Sequence, residues 1–153
     1  KSFFPDKNEK KQLGIVYTSF YLVQQIMDII PINEYKKINH RWLDAGSGLG
    51  SFTFILYEKL FNNLNKNEII SGSLHDHIIK NMIYFSEISN IHISYLNTLF
   101  GDNINLFPNF LTIDEKYCNY FDIIIGNPPY NYGTIKTKWL FMHDCSCVMV
   151  KAG

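Results

Sequence analysis

Hydrophobic and polar residues follow two patterns along the chain, one typical of amphipathic helices and the other of buried strands. Residues 20–30 place apolar side chains at helical spacing and are followed by Pro31. This segment predicts a helix that Thr18 or Ser19 caps at its N-terminus and that the proline ends. Similar patterns predict further helices over residues 51–61, 90–100 and 136–150.

Short and nearly unbroken apolar runs lie between these helices and predict strands that are buried on both faces of a parallel sheet. The strands are predicted over residues 41–43, 82–85, 104–107 and 121–125. Residues 62–73 are polar and rich in asparagine, which predicts a surface loop or insertion. The alternation of strands and helices predicts an α/β fold with a mostly parallel sheet and helices on both faces.

The fourth predicted strand ends at Gly126 and is followed by Asn127-Pro128-Pro129-Tyr130. The prolines have a fixed φ and no N–H group, so this segment is stiff and offers mainly carbonyl acceptors. Two acceptors aimed at one exocyclic amine would localise its lone pair and direct it at an electrophile. Tyr130 adds a flat face for a planar substrate. The segment therefore predicts group transfer to a nitrogen atom, and a proline-rich turn without chemistry is the alternative.

A glycine-rich turn, Asp44-Ala45-Gly46-Ser47-Gly48-Leu49-Gly50, connects the first predicted strand to the helix over residues 51–61. Glycines let the backbone approach a ligand closely, and the N-terminus of a helix favours polar or anionic groups. A strand, a glycine turn and a helix in this order predict a cradle for a nucleotide-like cofactor.

These segments resemble the S-adenosylmethionine-dependent amino-methyltransferases, above all the N6-adenine DNA methyltransferases of restriction-modification systems. Residues 127–130 match the family's motif IV, in which Asp, Asn or Ser precedes two prolines and an aromatic residue, and residues 44–50 resemble motif I. Tyr17-Thr18 is similar to part of motif X, with Ser19 in place of the usual proline. The resemblance implies a Rossmann-like methyltransferase fold, of which about the first four strands are expected here, and S-adenosylmethionine as the cofactor.

The resemblance also implies roles for single residues. Asn127 and the Pro128 carbonyl would bind the target amine, and Tyr130 would stack on an adenine that is flipped out of the duplex. The expected catalytic residues are Asn127, Pro128, Pro129 and Tyr130.

An acidic residue at the end of the second strand would bind both ribose hydroxyls of the cofactor, and Glu87 is the candidate, with Asp76 as the weaker rival. Asn109 stands where the family has an aspartate that contacts the cofactor's adenine. The expected cofactor-binding residues are Tyr17, Thr18, Asp44, Ala45, Gly46, Ser47, Gly48, Gly50, Glu87, Ile88, Asn109 and Phe110.

The composition limits this interpretation without changing it. The 153 residues are 46% hydrophobic, which is enough for one domain with a core. The 14 basic and 14 acidic residues cancel, so the charge does not indicate a nucleic-acid substrate. Cys118, Cys145 and Cys147 have no disulfide spacing, and we expect reduced thiols in an intracellular, cytoplasmic protein, with a nucleus or viral factory also open. Neither they nor His75 and His77 form a complete set of metal ligands.

We therefore expect residues 1–153 to be the N-terminal portion of a methyltransferase catalytic domain, without a target-recognition domain. The expected partner is DNA with a flipped adenine, and target recognition would need the remainder of the chain or another subunit. Two alternatives stay open. The glycine turn has the form that is frequent in methyltransferases acting on other substrates, such as RNA bases or a protein glutamine. Ser19 and Asn109 also leave open a non-catalytic methyltransferase fold that serves as a binding module.

Overall fold

The computed structural model describes residues 17–69, 72–107, 117, 119–127 and 148–149. In this part of the chain the strands are β1 (Trp42–Ala45), β2 (Ile83–Ser86), β3 (Asn105–Phe107), β4 (Ile123–Ile125) and β5 (Val148–Met149). The α-helices are α1 (Phe20–Ile29), α2 (Ser51–Asn63), α3 (Leu74–His77) and α4 (Asn90–Phe100). Two 3₁₀ turns lie at Ile32–Lys36 and Lys66–Glu68, and a π-helical turn at Ile78–Met82 follows α3.

The five strands form one sheet in the order β3-β2-β1-β4-β5, and every neighbouring pair is parallel. The sheet confirms the predicted α/β class. The central strand β1 has β2 on one side and β4 on the other, with Ala45 opposite Ser86 and Asp44 opposite Ile125. Because all three strands run in the same direction, their carboxyl ends meet at one edge of the sheet, where ligands bind in open α/β folds.

Helices α1, α2 and α4 begin where the sequence predicts them, and Ser19 is the residue that caps α1. Helix α2 extends to Asn63, two residues into the predicted loop, and the rest of that stretch contains a 3₁₀ turn. Strand β2 is displaced by one residue from the prediction, because Met82 still belongs to the π-helical turn, with its side chain in the core.

The prediction of a helix over residues 136–150 is wrong at Val148 and Met149, which form β5 beside β4. The sheet thus has one strand more than the four expected. Pairing along β4 satisfies the backbone groups of these two residues, and this tertiary contact overrides the local helical pattern. The other residues of the predicted helix lie outside the described part of the chain.

Alternating residues of the strands point to opposite faces of the sheet, and the described helices pack on one of them. On that face Trp42, Phe85 and Ile125 lie in one continuous core with the apolar sides of α1, α2, the α3 segment and α4. The opposite face carries a smaller cluster around Leu43 and Ile124, next to partly buried aromatic rings. Helices on this second face remain a prediction. No helix among the described residues is long and apolar enough to cross a membrane.

Candidate active site

The turn after β1 is shaped by three glycines with positive φ angles. Gly46, Gly48 and Gly50 have φ values of 83°, 55° and 82°, a region that side chains with a Cβ rarely adopt. A Cβ on Gly50 would stand 2.9 Å from a methyl carbon of Leu96, so this glycine lets α4 pack against the turn. A Cβ on Gly48 would have its nearest neighbour 3.9 Å away, in the Gly46 carbonyl. The space beside Gly48 is therefore open to a ligand.

Asp44 is the last polar side chain of β1 and is fully buried. Its Oδ2 accepts hydrogen bonds from the Thr53 hydroxyl at 2.6 Å and the Thr53 N–H at 3.1 Å, which ties β1 to the first turn of α2. Its Oδ1 has no hydrogen-bond partner among the described residues and lies 3.0 Å from where a Cβ on Gly126 would stand. Burial raises the pKa of Asp44 to about 7, against the Thr53 hydrogen bonds and with a small further rise from Glu87.

Glu87 lies directly after β2, and its carboxylate is surrounded by donors. Oε1 accepts from the N–H groups of Ile88 and Ser89 at 2.8 and 2.7 Å, and Oε2 accepts from the Gly48 N–H at 2.8 Å. Burial acts to raise the pKa of Glu87, but His92 and the two N–H groups at Ser89 and Ile88 outweigh it and hold the pKa below its usual range. The end of β2 is thus built to hold an anion against the glycine turn.

His92 was not predicted from the sequence, although it is the residue that joins Glu87 to the N-terminal segment. Its Nδ1 lies 3.3 Å from Glu87 Oε2, and its Nε2 lies 3.3 Å from the Tyr17 hydroxyl. The ring is almost fully buried, and the Tyr17 ring meets it edge-on. One signal could have revealed it, because Ser89 is a good N-cap and places His92 in the first turn of α4, facing back towards the strand end.

Asn127 follows Gly126 at the end of β4 and contacts the same N-terminal segment. Its amide nitrogen donates to the Thr18 hydroxyl at 3.1 Å, across 109 residues of sequence. A Cβ on Gly126 would stand 2.6 Å from the Ala45 carbonyl oxygen, so the missing side chain allows β4 to lie close against the end of β1. The two motif X residues, the glycine turn and Asn127 are therefore brought to one edge of the sheet.

The structure brings together ten of the predicted cofactor-binding residues by placing them on the N-terminal segment, on the glycine turn after β1 and at the end of β2. They are Tyr17, Thr18, Asp44, Ala45, Gly46, Ser47, Gly48, Gly50, Glu87 and Ile88. Asn109, Phe110, Pro128, Pro129 and Tyr130 lie outside the described residues. Their roles, like those of the others, remain predictions.

The rival motif II candidate is placed differently. Asp76 lies in α3, on the exposed side of the helix, where it pairs with Lys80 and binds the Ser73 hydroxyl. These contacts hold the pKa of the Asp76 carboxyl at about 2. Glu87 is the acidic residue that contacts the glycine turn, and the geometry favours it over Asp76.

The residues at this edge fit S-adenosylmethionine in three respects. The space beside Gly48 admits a ligand, the Glu87 carboxylate is held as an anion close to that space, and the buried Asp44 Oδ1 lacks a donor among the described residues. Ile88 is 57% exposed next to Glu87 and offers an apolar surface to a flat ring. An anion for hydroxyl groups, an acceptor for a cationic group and an apolar shelf match the chemistry of this cofactor.

Two solved structures are similar to the chain. One is a protein described as the modification subunit of a proposed type I restriction enzyme from Vibrio vulnificus YJ016, with 17% identity and a TM-score of 0.55 over 88% of this chain and 28% of that chain. The other is a DrdV–DNA complex solved by cryo-electron microscopy, with 18% identity and a TM-score of 0.53 over 82% of this chain and 15% of that chain.

The chain spans less than a third of either neighbour, and at these identities the likeness establishes the fold. No protein-family model and no curated protein matches the sequence.

Proposed function

We propose that the protein transfers a methyl group from S-adenosylmethionine to the exocyclic N6 amine of adenine in DNA. The observation that carries this proposal is the contact between Asn127 and Thr18 at the edge of the sheet that holds the glycine turn. With its nitrogen directed at Thr18, the amide turns its oxygen to another side, which is the acceptor that an exocyclic amine needs. A stiff acceptor beside a cofactor cradle is the arrangement that transfer to nitrogen requires.

In this proposal the residues of the chain divide the work between cofactor and substrate. Glu87 accepts from the ribose hydroxyls, Gly48 leaves room for the ligand, and Asp44 Oδ1 accepts from the amino group of the methionine part. When bound, S-adenosylmethionine supplies an electrophilic methyl group on a sulfonium centre.

On the substrate side, Asn127 Oδ1 and the Pro128 carbonyl accept the two hydrogens of the adenine amine, so that its lone pair becomes localised and faces the methyl group. Tyr130 stacks on the flipped base. The amine proton leaves to solvent after the transfer. These assignments follow the resemblance of residues 127–130 to motif IV.

The two similar structures support DNA as the acceptor. One is the modification subunit of a proposed restriction enzyme, and the other was solved as a complex with DNA. The Tyr17-Thr18 pair ahead of the glycine turn also favours the DNA adenine class over enzymes that act on RNA bases or on a protein glutamine. In a longer assembly, target recognition would come from the remainder of the chain or from another subunit.

Methyl transfer from S-adenosylmethionine labelled in its methyl group tests the proposal. The complete protein is incubated with unmethylated duplex DNA, ribosomal RNA or a peptide release factor, and the label is traced to N6-methyladenine after hydrolysis. We expect label in DNA only. Label in RNA or protein, or in none of the three, would contradict the proposal.

The Asn127→Ala variant separates catalysis from binding. We expect it to lose methyl transfer by about 100-fold or more, because one amine acceptor is gone, while calorimetry shows a cofactor Kd within about 2-fold of the parent protein. Full activity in this variant would remove Asn127 from the mechanism.

A further inference from the structure

We propose that His92 is a positioning residue that couples the cofactor-binding carboxylate of Glu87 to the Tyr17–Thr18 segment and, through Thr18, to Asn127. This inference rests on the proposed function for its kinetic consequences. Its structural part concerns one buried imidazole whose two nitrogens face two different parts of the site, 3.3 Å from each.

The local sequence explains how His92 reaches Glu87. The Ser89 hydroxyl lies 3.5 Å from the His92 N–H and caps α4, while the Ser89 N–H donates to Glu87 Oε1. The first turn of α4 therefore folds back over the strand end, with the imidazole on the Oε2 side of the same carboxylate. The contact between Nδ1 and Oε2 is long and poorly aligned for a hydrogen bond, so it acts mainly through charge.

The neighbours of the ring indicate which nitrogen carries hydrogen. The Glu87 carboxylate is held in its ionised form and only accepts, so Nδ1 is the nitrogen that presents a hydrogen to it. In a neutral imidazole Nε2 is then an acceptor, and the Tyr17 hydroxyl donates to it. The ring thus has one role on each side, and neither role can be taken over by the other nitrogen.

The contacts continue on both sides of the ring. Towards the cofactor, Glu87 Oε2 accepts from the Gly48 N–H. Towards the substrate, Tyr17 is bonded to Thr18 in the chain, and the Thr18 hydroxyl accepts from the Asn127 amide nitrogen. A continuous series of contacts therefore joins the glycine turn after β1 to the amide at the end of β4, with His92 between them. Loss of the Tyr17 contact should loosen the segment that orients Asn127, whereas loss of the Glu87 contact should weaken cofactor binding.

Two amide substitutions separate these effects. His92→Asn keeps an amide nitrogen near the position of Nδ1 but is too short to reach Tyr17. His92→Gln extends towards Tyr17 but withdraws its nitrogen from Glu87. We expect His92→Asn to lower kcat for DNA methylation about 10-fold with little change in cofactor Kd. We expect His92→Gln to raise the cofactor Kd about 5-fold to 10-fold.

Tyr17→Phe removes only the hydroxyl that contacts His92, and it should reproduce the kcat effect of His92→Asn. Because both changes break the same contact, the double variant should be no slower than either single variant. Multiplying effects in the double variant, or an unchanged kcat in Tyr17→Phe, would overturn the inference.

The chain offers a matched control in another tyrosine–histidine pair. The Tyr57 hydroxyl lies 3.0 Å from His75 Nδ1 on the outer side of α2 and α3, with no contact to the site. Tyr57→Phe and His75→Asn should leave kcat and cofactor Kd unchanged.

Backbone hydrogen exchange tests the positioning role independently of methyl transfer. In Tyr17→Phe and His92→Asn we expect exchange at residues 17–19 and at Asn127 to become at least about 10-fold faster, since these groups lose their anchor while the core stays folded. Faster exchange in a protein that methylates nothing would uphold the positioning role and reject the proposed function alone. Unchanged exchange would overturn the positioning role whatever the activity.

Discussion

The ends of β1 and β2 each carry a buried carboxylate, yet the two groups behave in opposite ways. Burial acts to raise the pKa of both. Asp44 receives hydrogen bonds from a single residue, on one oxygen, and its pKa is raised to about 7. Glu87 has donors on both oxygens, and its pKa is lowered. The number and placement of donors, and not the depth of burial, decide which of the two is an anion in the folded protein.

This difference fits the two roles that the proposed function assigns. Glu87 is organised as an acceptor before any ligand arrives, which suits a group that binds neutral hydroxyls. Asp44 is close to half-protonated at neutral pH, and its Oδ1 has no donor among the described residues. A cationic amino group placed beside Asp44 would favour the ionised form. Cofactor binding should therefore be tied to the protonation of Asp44 and much less to that of Glu87.

The largest expected effect comes from removing the charge at the better satisfied group. Glu87→Gln replaces one acceptor oxygen with an NH₂ group that must face donor N–H groups at Gly48 or at Ile88 and Ser89. We expect the free energy of unfolding at pH 7 to fall by about 2–4 kcal/mol and cofactor affinity to fall with it. Urea unfolding and calorimetry measure the two quantities.

Glu34→Gln is the matched control for this substitution. Glu34 pairs with Lys37 at the surface, where both side chains are partly exposed. Its replacement should cost less than about 1 kcal/mol, since surface pairs contribute little. Equal stability of the two variants would mean that the donors around Glu87 do not stabilise its charge.

The second effect should have the opposite sign. Asp44→Asn keeps an oxygen for Thr53 and removes the cost of a buried charge, so at pH 8 the variant should be more stable than the parent by about 1–3 kcal/mol. At pH 5 the Asp44 side chain of the folded protein is already neutral. The two proteins should then differ much less in their free energies of unfolding.

The direction of this pH dependence follows from the raised pKa. In the unfolded chain Asp44 ionises near 3.8, and in the folded protein near 7. Between these values the unfolded state binds fewer protons, so this group lowers stability as the pH rises from about 4 to about 7. Urea titrations at several pH values check it. A parent protein that gains stability relative to Asp44→Asn over this window would show that Asp44 is ionised at low pH.

The sequence predicted the parts of this comparison that depend on strand ends. Asp44 before a glycine turn and Glu87 after an apolar run were expected to lie at the same edge, because parallel strands end together. The pairing of β1 with β2 confirms that geometry. Tyr17 and Thr18 were likewise expected near the cofactor, and both contact residues of the site.

The remaining features depend on contacts that no local pattern contains. His92 has the sequence context of any buried histidine in a helix, and its partner Tyr17 lies 75 residues earlier. Thr53 lies among the apolar residues of α2, and only the packing of the helix against β1 shows that its hydroxyl binds Asp44. Val148 and Met149 have a pattern that suits a helix, and their state is decided by pairing with β4.

The smallest expected effect concerns the hydroxyl that supports Asp44. Thr53→Val keeps the N–H contact at 3.1 Å but removes the hydroxyl contact at 2.6 Å, so the pKa of Asp44 should rise further. We expect a loss of about 1–2 kcal/mol in the free energy of unfolding at pH 8 and a smaller loss at pH 5, because a hydrogen bond to a charged acceptor is the stronger one.

Thr53→Ser keeps the hydroxyl and loses a buried methyl group, so its cost of about 1 kcal/mol should be the same at both pH values. The informative quantity is therefore the difference between pH 8 and pH 5 and not the size of either loss. An equal pH difference in the two variants would mean that Thr53 packs beside Asp44 without setting its charge. The contrast between the two carboxylates would then depend on Glu87 and its donors alone.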